Sequence, residues 1–148
     1  MEAVIFVGAQ GAGKSTFYSE RFFDTHVRIS LDVLKTWRRE QLIFEACLAA
    51  AQSFVVDNTN PLTIDRARYV GPARAAGFRV LAYFFATPLR EAMRRNNLRK
   101  FKQKIPAVAV EATFKKLQRP APEEGFDELH TVELSADDQF LVTRNGTA

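Results

Sequence analysis

The sequence contains little cysteine and no long apolar stretch. Cys47 is the single cysteine among 148 residues, which excludes an internal disulfide and a cysteine-rich metal site. No apolar run approaches the roughly 20 residues of a membrane-spanning helix, so we expect no membrane partner. The first apolar segment begins within a few residues of Met1, which leaves no room for a signal or transit peptide. We therefore expect a cytosolic protein.

The composition is that of an ordinary globular protein with a small excess of positive charge. Hydrophobic residues make up 47% of the chain and charged residues 26%, both typical of folded domains. The formal net charge of +4 favours an anionic partner but does not identify one. At this length we expect a single domain over residues 1–148.

A glycine-rich segment near the N-terminus fits the pattern G-x-x-x-x-G-K-[ST] of a phosphate-binding P-loop. The apolar run Ala3–Val7 before it predicts a buried parallel strand, and Ser15–Phe23 predicts a helix. Backbone N–H groups of such a loop, with the helix N-terminus, face the phosphates of a nucleotide. A turn that binds nothing is the alternative, which the flanking strand and helix disfavour. The predicted nucleotide-binding residues are Gly11, Ala12, Gly13, Lys14, Ser15 and Thr16.

The same segment predicts how a triphosphate and its metal ion are held. Lys14 can reach the β- and γ-phosphates, Ser15 can offer its hydroxyl to Mg²⁺, and Thr16 is placed for the α-phosphate. Asp57 ends the apolar run Ser53–Asp57, the position of a Walker B carboxylate that holds Mg²⁺ directly or through water. An aspartate that only begins a turn is the alternative, and the P-loop upstream favours the metal role.

Predicted strands and helices alternate along the chain. This alternation predicts an α/β protein in which helices cover both faces of a parallel sheet, and together with the P-loop it leads us to expect the three-layer P-loop kinase fold. Ligands of such sheets bind at the carboxyl ends of the strands, so the P-loop, Asp32 and Asp57 should converge at that edge. Further strands are predicted at His26–Ile29, Ser53–Asp57 and Arg79–Phe85, and helices over Leu31–Gln52, up to Ala76, and from Pro88.

The second predicted helix carries an apolar stripe and two candidate residues for the acceptor side. Trp37 and Phe44 belong to a stripe with helical spacing and are predicted to face the core, and Ser30 could cap the helix. Asp32 could take the proton from an attacking hydroxyl, and Lys35, one turn later, could hold an acceptor phosphate. The alternative, that Asp32 only stabilises the first turn through the helix dipole, fits the spacing equally well.

A basic segment over about residues 90–118 is predicted to form a helical lid. Arg95 and Arg99 lie one turn apart, so they can approach one phosphate group and stabilise transition-state charge. Such a cluster repels itself unless an anion binds. A solvated basic helix face is the alternative. The basic residues in this segment include Arg90, Arg94, Arg95, Arg99, Lys100, Lys102 and Lys104.

With these residues in place, the sequence resembles the kinase domain of the polynucleotide 5′-kinases over nearly the whole chain. The P-loop is shared with many nucleotide-binding proteins, whereas the Asp-Asn-Thr-Asn-Pro run followed by an Arg-Asn lid is much more specific. The matching stretches are Gly8–Thr16, Val55–Pro61, Arg66–Val70 with Ala73–Gly77, Arg94–Asn97, Ile105–Pro106 and Pro122–Phe126.

The resemblance implies roles for the acceptor-side and lid residues. Asp32 matches the general base that activates the 5′-hydroxyl, and Arg95 and Arg99 match lid arginines, with Lys100 competing with Arg99 in another register. Lys35 stands where the phage enzyme of this family has an arginine, and lysine cannot make the same bidentate contact. Because the resemblance covers only the kinase half of these enzymes, we expect 3′-phosphate processing to come from another protein.

The leading functional prediction is an ATP-dependent kinase that phosphorylates the 5′-hydroxyl ends of DNA or RNA, with ATP and Mg²⁺ as cofactors. A kinase of a small-molecule hydroxyl acceptor is the first alternative, distinguished by a closed polar pocket in place of an open basic channel beside Asp32. A non-catalytic nucleotide-binding regulatory protein is the second alternative. The presence of four residues argues against it: Lys14, Ser15, Asp57 and Asp32. The choice of nucleic acid and the oligomeric state stay open at this point.

Overall fold

The structure of the protein, a computed structural model, describes residues 1–99, 104–135 and 137–145. Its strands are β1 Glu2–Val7, β2 Val27–Ile29, β3 Phe54–Val56, β4 Arg79–Phe85, β5 Glu128–Leu134 and β6 Phe140–Arg144. They form one sheet in the order β2–β3–β1–β4–β5–β6. Each neighbouring pair among β2, β3, β1, β4 and β5 is parallel. Strand β6, at the edge of the sheet, is antiparallel to β5. The predicted α/β fold with a mostly parallel sheet is confirmed.

Helices connect the parallel strands. They are α1 Lys14–Arg21, α2 Leu31–Leu34, α3 Trp37–Ala49, α4 Thr63–Ala75, α5 Leu89–Asn97 and α6 Ala107–Lys116, followed by a 3₁₀ turn at Pro122–Glu124. Across the described part of the chain, no helix combines the length and the apolar character needed to cross a membrane.

Alternate side chains of β1 pack into two apolar cores, one on each face of the sheet. Ile5 lies in a core with Phe44 of α3 and Tyr69 of α4. Phe6 lies in the opposite core, where its ring centroid is 5.9 Å from that of Phe17 in α1. Since both faces of β1 are buried, its sequence is continuously apolar instead of alternating. Helices therefore cover both faces of the sheet, as predicted.

The loops that follow β1, β2 and β3 meet at one edge of the sheet. The Gly8 backbone N–H, at the start of the P-loop, donates to the Thr59 carbonyl oxygen at 3.0 Å. The Asp57 backbone N–H donates to the Ile29 carbonyl oxygen at 2.8 Å. These bonds tie together the three segments from which the sequence predicts a site.

The predicted helix over Leu31–Gln52 is wrong in one respect, because it is two helices. Lys35 adopts a φ of 73°, which ends α2 after one turn. The Thr36 hydroxyl then caps α3 by accepting the Arg39 backbone N–H at 3.1 Å. Ser30 occupies the N-cap position of α2, but its buried hydroxyl has no hydrogen-bond partner among the described residues.

The break at Lys35 also changes which face of α3 is buried. Glu40, Phe44 and Cys47 face the interior, whereas Trp37 is 54% exposed. The prediction that Trp37 belongs to the core is therefore wrong. The predicted stripe assumed one continuous helix, whereas the break at Lys35 separates Leu34 from the rest of it in α3.

The sequence pattern did not predict the C-terminal hairpin of β5 and β6. Phe140, in β6, packs its ring 5.1 Å from that of Phe17 in α1. A carbon of the same ring would lie 3.2 Å from a Cβ at Gly13. The hairpin therefore lies directly against the P-loop.

Candidate active site

The P-loop backbone depends on two glycines in left-handed conformations. Gly11 has a φ of 81° and Gly13 a φ of 96°, a region that side chains other than glycine rarely adopt. A Cβ at Gly11 would also collide with the Ala92 carbonyl oxygen of α5. Gly13 is the N-cap of α1, so the backbone N–H groups of the first turn are left to bind an anion.

Lys14 is buried at the first position of α1. Its Nζ donates to the Gly8 carbonyl oxygen at 3.0 Å and to the Ala9 carbonyl oxygen at 2.8 Å. Burial lowers the pKa of Lys14 to about 8, opposed by Asp57 and Asp32 and reinforced by the positive charge of Arg99. The ammonium group is therefore held beside the loop, where a phosphate would stabilise its charged form.

The predicted metal ligands Ser15 and Asp57 are hydrogen-bonded to each other. Ser15 Oγ donates to Asp57 Oδ2 at 3.0 Å, and the Asp57 side chain is almost fully buried. Arg28, in β2, contacts both: its Nε lies 2.8 Å from Asp57 Oδ2, and a terminal nitrogen donates to Ser15 Oγ at 2.9 Å. A guanidinium group therefore adjoins the two oxygen atoms that would bind a divalent cation.

The chemistry of this donor pair fits Mg²⁺. A hydroxyl and a carboxylate are hard oxygen ligands, and Mg²⁺ is commonly held by one or two carboxylates together with the phosphates of a substrate. Among the described residues there is no cluster of three or more His, Cys, Asp or Glu side chains that could hold a metal alone. Ser15 and Asp57 are the residues that would hold it.

A cavity of about 200 Å³ brings the predicted acceptor base beside the P-loop. Asp32 follows the first residue of α2 and is exposed to this cavity. Lys35 is exposed beyond the end of α2 and is not among the described residues that line the cavity. The predicted helical face shared by Asp32 and Lys35 is thus wrong. The lining includes Gln10, Lys14, Ser15, Asp32, Asp57, Asn58 and Arg99.

The predicted lid arginines lie beside the P-loop. Arg95 and Arg99 line a neighbouring cavity of about 370 Å³ together with Gly11, Gly13 and Thr16. The Arg95 guanidinium lies 3.3 Å from a Glu91 carboxylate oxygen and 3.3 Å from one of Asp138. Arg99 lines both cavities. Lys100 and Lys102 lie outside the described residues.

Asn96, near the end of α5, is hydrogen-bonded to Ile105, which lies just before α6. Its Nδ2 donates to the Ile105 carbonyl oxygen at 2.5 Å, and its Oδ1 accepts the Ile105 backbone N–H at 2.9 Å. Asn96 is buried, and its backbone nitrogen lies close to the position of a Cβ at Gly11. Helix α5 is therefore packed against the P-loop at Gly11.

An aromatic and basic surface lies next to α2. The Arg68 guanidinium, in α4, lies 4.2 Å from the centroid of the Trp37 indole ring. Trp37, Arg39 and Lys35 are exposed. An exposed ring beside arginines is the combination on which nucleobases stack and phosphates bind.

Sequence reasoning did not identify Arg28 or Glu40 as site residues. Arg28 is the one charged residue inside β2, and a charge in a short strand beside the P-loop is the signal that could have found it. Glu40 shares a helical spacing of four with Phe44 and is fully buried. An acidic residue on an apolar stripe could likewise have been singled out.

A family model described as an AAA domain matches residues 32–123, more than half of the chain. The match begins at Asp32 and includes Asp57, Arg95 and Arg99, while the P-loop precedes it.

Two curated proteins are similar to nearly the whole chain. It is 31% identical over 147 residues to a protein of Acanthamoeba polyphaga mimivirus provisionally named a bifunctional polynucleotide phosphatase/kinase, covering 95% of this chain and 35% of that protein. It is 27% identical over 157 residues to the bifunctional polynucleotide phosphatase/kinase of Schizosaccharomyces pombe, covering 97% and 36%. The chain therefore spans about a third of the length of these relatives.

Solved kinases share the fold at low sequence identity. A gluconokinase of Sinorhizobium meliloti 1021 has a TM-score of 0.61 at 16% identity, covering 89% of this chain and 82% of that one. The APS kinase CysC of Mycobacterium tuberculosis, in complex with AMPPNP and APS, has a TM-score of 0.59 at 20% identity, covering 93% and 90%. At these identities the likeness concerns the fold, an α/β chain with a mostly parallel sheet that these kinases share.

Proposed function

This chain belongs to the AAA domain family, and on that premise we propose that it is an ATP-dependent 5′-hydroxyl polynucleotide kinase. The observation that carries the proposal is the shared cavity of Lys14 and Asp32. A nucleotide held by the P-loop would place its γ-phosphate at Lys14, and a carboxylate on the same cavity could receive the proton of an attacking alcohol. The names of the two curated relatives support a nucleic-acid end as that alcohol.

In the proposed mechanism, Asp32 accepts the proton of the 5′-hydroxyl while the hydroxyl oxygen bonds to the γ-phosphorus. The bond between the γ-phosphorus and the oxygen that bridges the β- and γ-phosphates breaks, and ADP leaves. Asp32 later returns the proton to water. Lys14, Arg95 and Arg99 stabilise the charge on the phosphoryl oxygens during transfer. Mg²⁺ held by Ser15 and Asp57 would supply further neutralisation of phosphate charge.

The surface around Trp37 supports an extended anionic acceptor. Arg68 stacks on the Trp37 ring, and Lys35 and Arg39 add positive charge nearby. A strand whose 5′ end enters the cavity at Asp32 could lay its first bases and phosphates on this surface. A metabolite enclosed by a pocket would not need it.

An acceptor panel tests the proposal. The protein is incubated with γ-labelled ATP, Mg²⁺ and one of four acceptors: a 5′-hydroxyl oligonucleotide, the same oligonucleotide already 5′-phosphorylated, a nucleoside, or gluconate. We expect label only on the 5′-hydroxyl oligonucleotide. Label on a small alcohol alone would favour the small-molecule kinase instead. Nucleotide binding without transfer to any acceptor would favour the regulatory protein.

A further inference from the structure

Glu40 is a fully buried carboxylate that the proposed mechanism does not use. It lies in α3, with 0% of its surface exposed. The Tyr69 hydroxyl donates to its Oε1 at 2.5 Å, and the Asn58 side-chain amide donates to its Oε2 at 3.0 Å. The nearest cation is Arg68, with one nitrogen 4.0 Å from Oε1. These are the polar groups that face it in the structure.

The carboxylate determines which way the Asn58 amide points. Glu40 Oε2 accepts the hydrogen bond from Asn58 Nδ2, so the NH₂ group of Asn58 faces Glu40. The carbonyl end of the amide, Oδ1, then faces the other way and accepts the Leu31 backbone N–H at 2.9 Å. An amide turned by half a rotation would instead place its NH₂ group against that N–H.

Leu31 is the first residue of α2, and Asp32 follows it. The Asn58 amide therefore holds the N-terminus of the single turn that carries Asp32. That turn ends at Lys35 with a positive φ, so few backbone hydrogen bonds of its own hold it in place. Side chains from the turn after β3 and from α3 supply the missing restraint through the contact at Leu31.

A buried carboxylate is an unfavourable way to fill a core, because an apolar side chain of similar volume is often neutral or stabilising at such a position. Burial together with the hydrogen bond to Glu40 raises the pKa of the Tyr69 hydroxyl, so this group stays a donor. The network is thus fully paired, and pairing of this kind imposes a single orientation on its members.

We propose that Glu40 is a positioning residue that fixes the acceptor base Asp32 through Asn58 and the Leu31 N–H. The inference rests on the proposed kinase function for the role of Asp32. The hydrogen-bond relay itself is independent of the acceptor.

The test compares three single variants and one double variant. Glu40→Leu removes the acceptor, and Asn58→Ala removes the amide while leaving Glu40 bonded to Tyr69. Tyr69→Phe is the control, because it removes the other hydrogen bond to Glu40 and a contact with Asn58 but keeps both the Asn58 amide and the Glu40 carboxylate. The double variant joins Glu40→Leu with Asn58→Ala and measures whether the two residues act as one unit.

We expect Glu40→Leu and Asn58→Ala each to lower kcat by about 10- to 100-fold, since a small displacement of a catalytic group has effects of that size. The KM for ATP should stay within about twofold, and the double variant should lose no more than either single one. Tyr69→Phe should keep kcat within about threefold of wild type. Full kcat in Asn58→Ala, or multiplied losses in the double variant, would overturn the proposal.

Hydrogen exchange of the Leu31 amide, followed by NMR, separates this inference from the kinase function. We expect at least about tenfold faster exchange in Glu40→Leu and Asn58→Ala than in wild type or Tyr69→Phe. If Glu40→Leu fails to fold, Asn58→Ala alone still decides the outcome. An unchanged exchange rate of the Leu31 amide in Asn58→Ala would contradict the hydrogen-bond relay. A wild-type protein that phosphorylates no 5′-hydroxyl would instead sink the proposed function while leaving the exchange result intact.

Discussion

The Arg28 guanidinium closes over Asp57, with its Nε 2.8 Å from Asp57 Oδ2. A second nitrogen of Arg28 reaches Ser15 Oγ at 2.9 Å, so the side chain bridges the pair of oxygens proposed to hold Mg²⁺. A fixed positive charge at that distance repels a divalent cation. On the proposed assignment of Ser15 and Asp57 as metal ligands, Arg28 has to shift before a divalent cation can bind both oxygens.

Replacing Arg28 should lower the Mg²⁺ concentration needed for nucleotide binding. For Arg28→Gln we expect half-maximal binding of a fluorescent ADP analogue at about three- to tenfold less Mg²⁺ than in wild type, because the repulsion between like charges is gone. Arg21→Gln is the control, since Arg21 is exposed on α1 and its guanidinium lies over the Phe17 ring and is not paired with Asp57. A higher Mg²⁺ requirement in Arg28→Gln would show that the arginine supports the metal.

Nucleotide binding should take up protons near pH 8. Burial lowers the pKa of Lys14 to about 8 in the free protein, and a bound phosphate favours the charged ammonium and so raises this pKa. The contribution of Lys14 to ATP affinity is therefore complete below pH 8 and is lost as the pH rises above it. Titration calorimetry in buffers of different ionisation enthalpy measures the uptake.

The matched variant for this experiment is Lys14→Met, which should bind ATP without proton uptake in the same pH range. Equal and negligible uptake in wild type and Lys14→Met between pH 7.5 and 9 would contradict the account of Lys14.

The surface at Trp37 should contribute to the affinity for the oligonucleotide and have no effect on the affinity for ATP. Stacking of one base on an aromatic ring contributes about 1–3 kcal/mol, so Trp37→Ala should raise the KM for the oligonucleotide roughly fivefold or more. Leu42→Ala, at another exposed position of α3, is the control. Equal KM values for the oligonucleotide in the two variants would argue against this surface.

Arg68 should contribute to the salt dependence of oligonucleotide binding. Each phosphate contact to a single strand contributes about 0.7 to the slope of log K against log salt concentration. We expect Arg68→Gln to reduce that slope by about this amount, measured by fluorescence anisotropy at several salt concentrations. A slope identical to that of wild type would exclude a phosphate contact by Arg68.

Arg66 should stabilise the fold without taking part in catalysis. It is fully buried, and its guanidinium donates to both carboxylate oxygens of Glu124 at 2.8 and 3.0 Å and to the Asn60 carbonyl oxygen at 2.9 Å. Arg66→Leu leaves the Glu124 carboxylate buried without its positive partner. We therefore expect the free energy of unfolding, measured by urea denaturation, to fall by about 3–5 kcal/mol. Arg74→Leu, an exposed pair partner of Asp127, should lose no more than about 1 kcal/mol.

The parts of this site that lie close together in the sequence could be predicted from it. Ala3–Val7 is a continuous apolar run whose side chains are buried on both faces of the sheet, and the P-loop follows it directly. The local pattern was therefore sufficient to predict both the strand and the loop. The turn after β3 could also be placed, because Asp57 ends an apolar run. In each case the residues that specify the feature are neighbours along the chain.

The remaining features depend on contacts between distant segments. Lys35 breaks a continuous helical pattern, and the short helix before it is bonded at Leu31 to Asn58, which lies far along the chain. Arg28, in β2, pairs with Asp57, which follows the neighbouring strand β3. Phe140 contacts the P-loop from β6, the last strand. Periodicity and propensity carry no information about such pairings, since tertiary contacts override local preference.

Phosphate transfer by wild type and Asp32→Asn, run side by side, tests the central claim most directly. Label from γ-labelled ATP is followed onto a 5′-hydroxyl oligonucleotide, and ATP affinity is measured on the same samples. We predict transfer by wild type, with kcat reduced by about 10²- to 10⁴-fold in Asp32→Asn and an unchanged ATP affinity. Equal rates in the two proteins would contradict the assignment of Asp32 as the base that activates the acceptor.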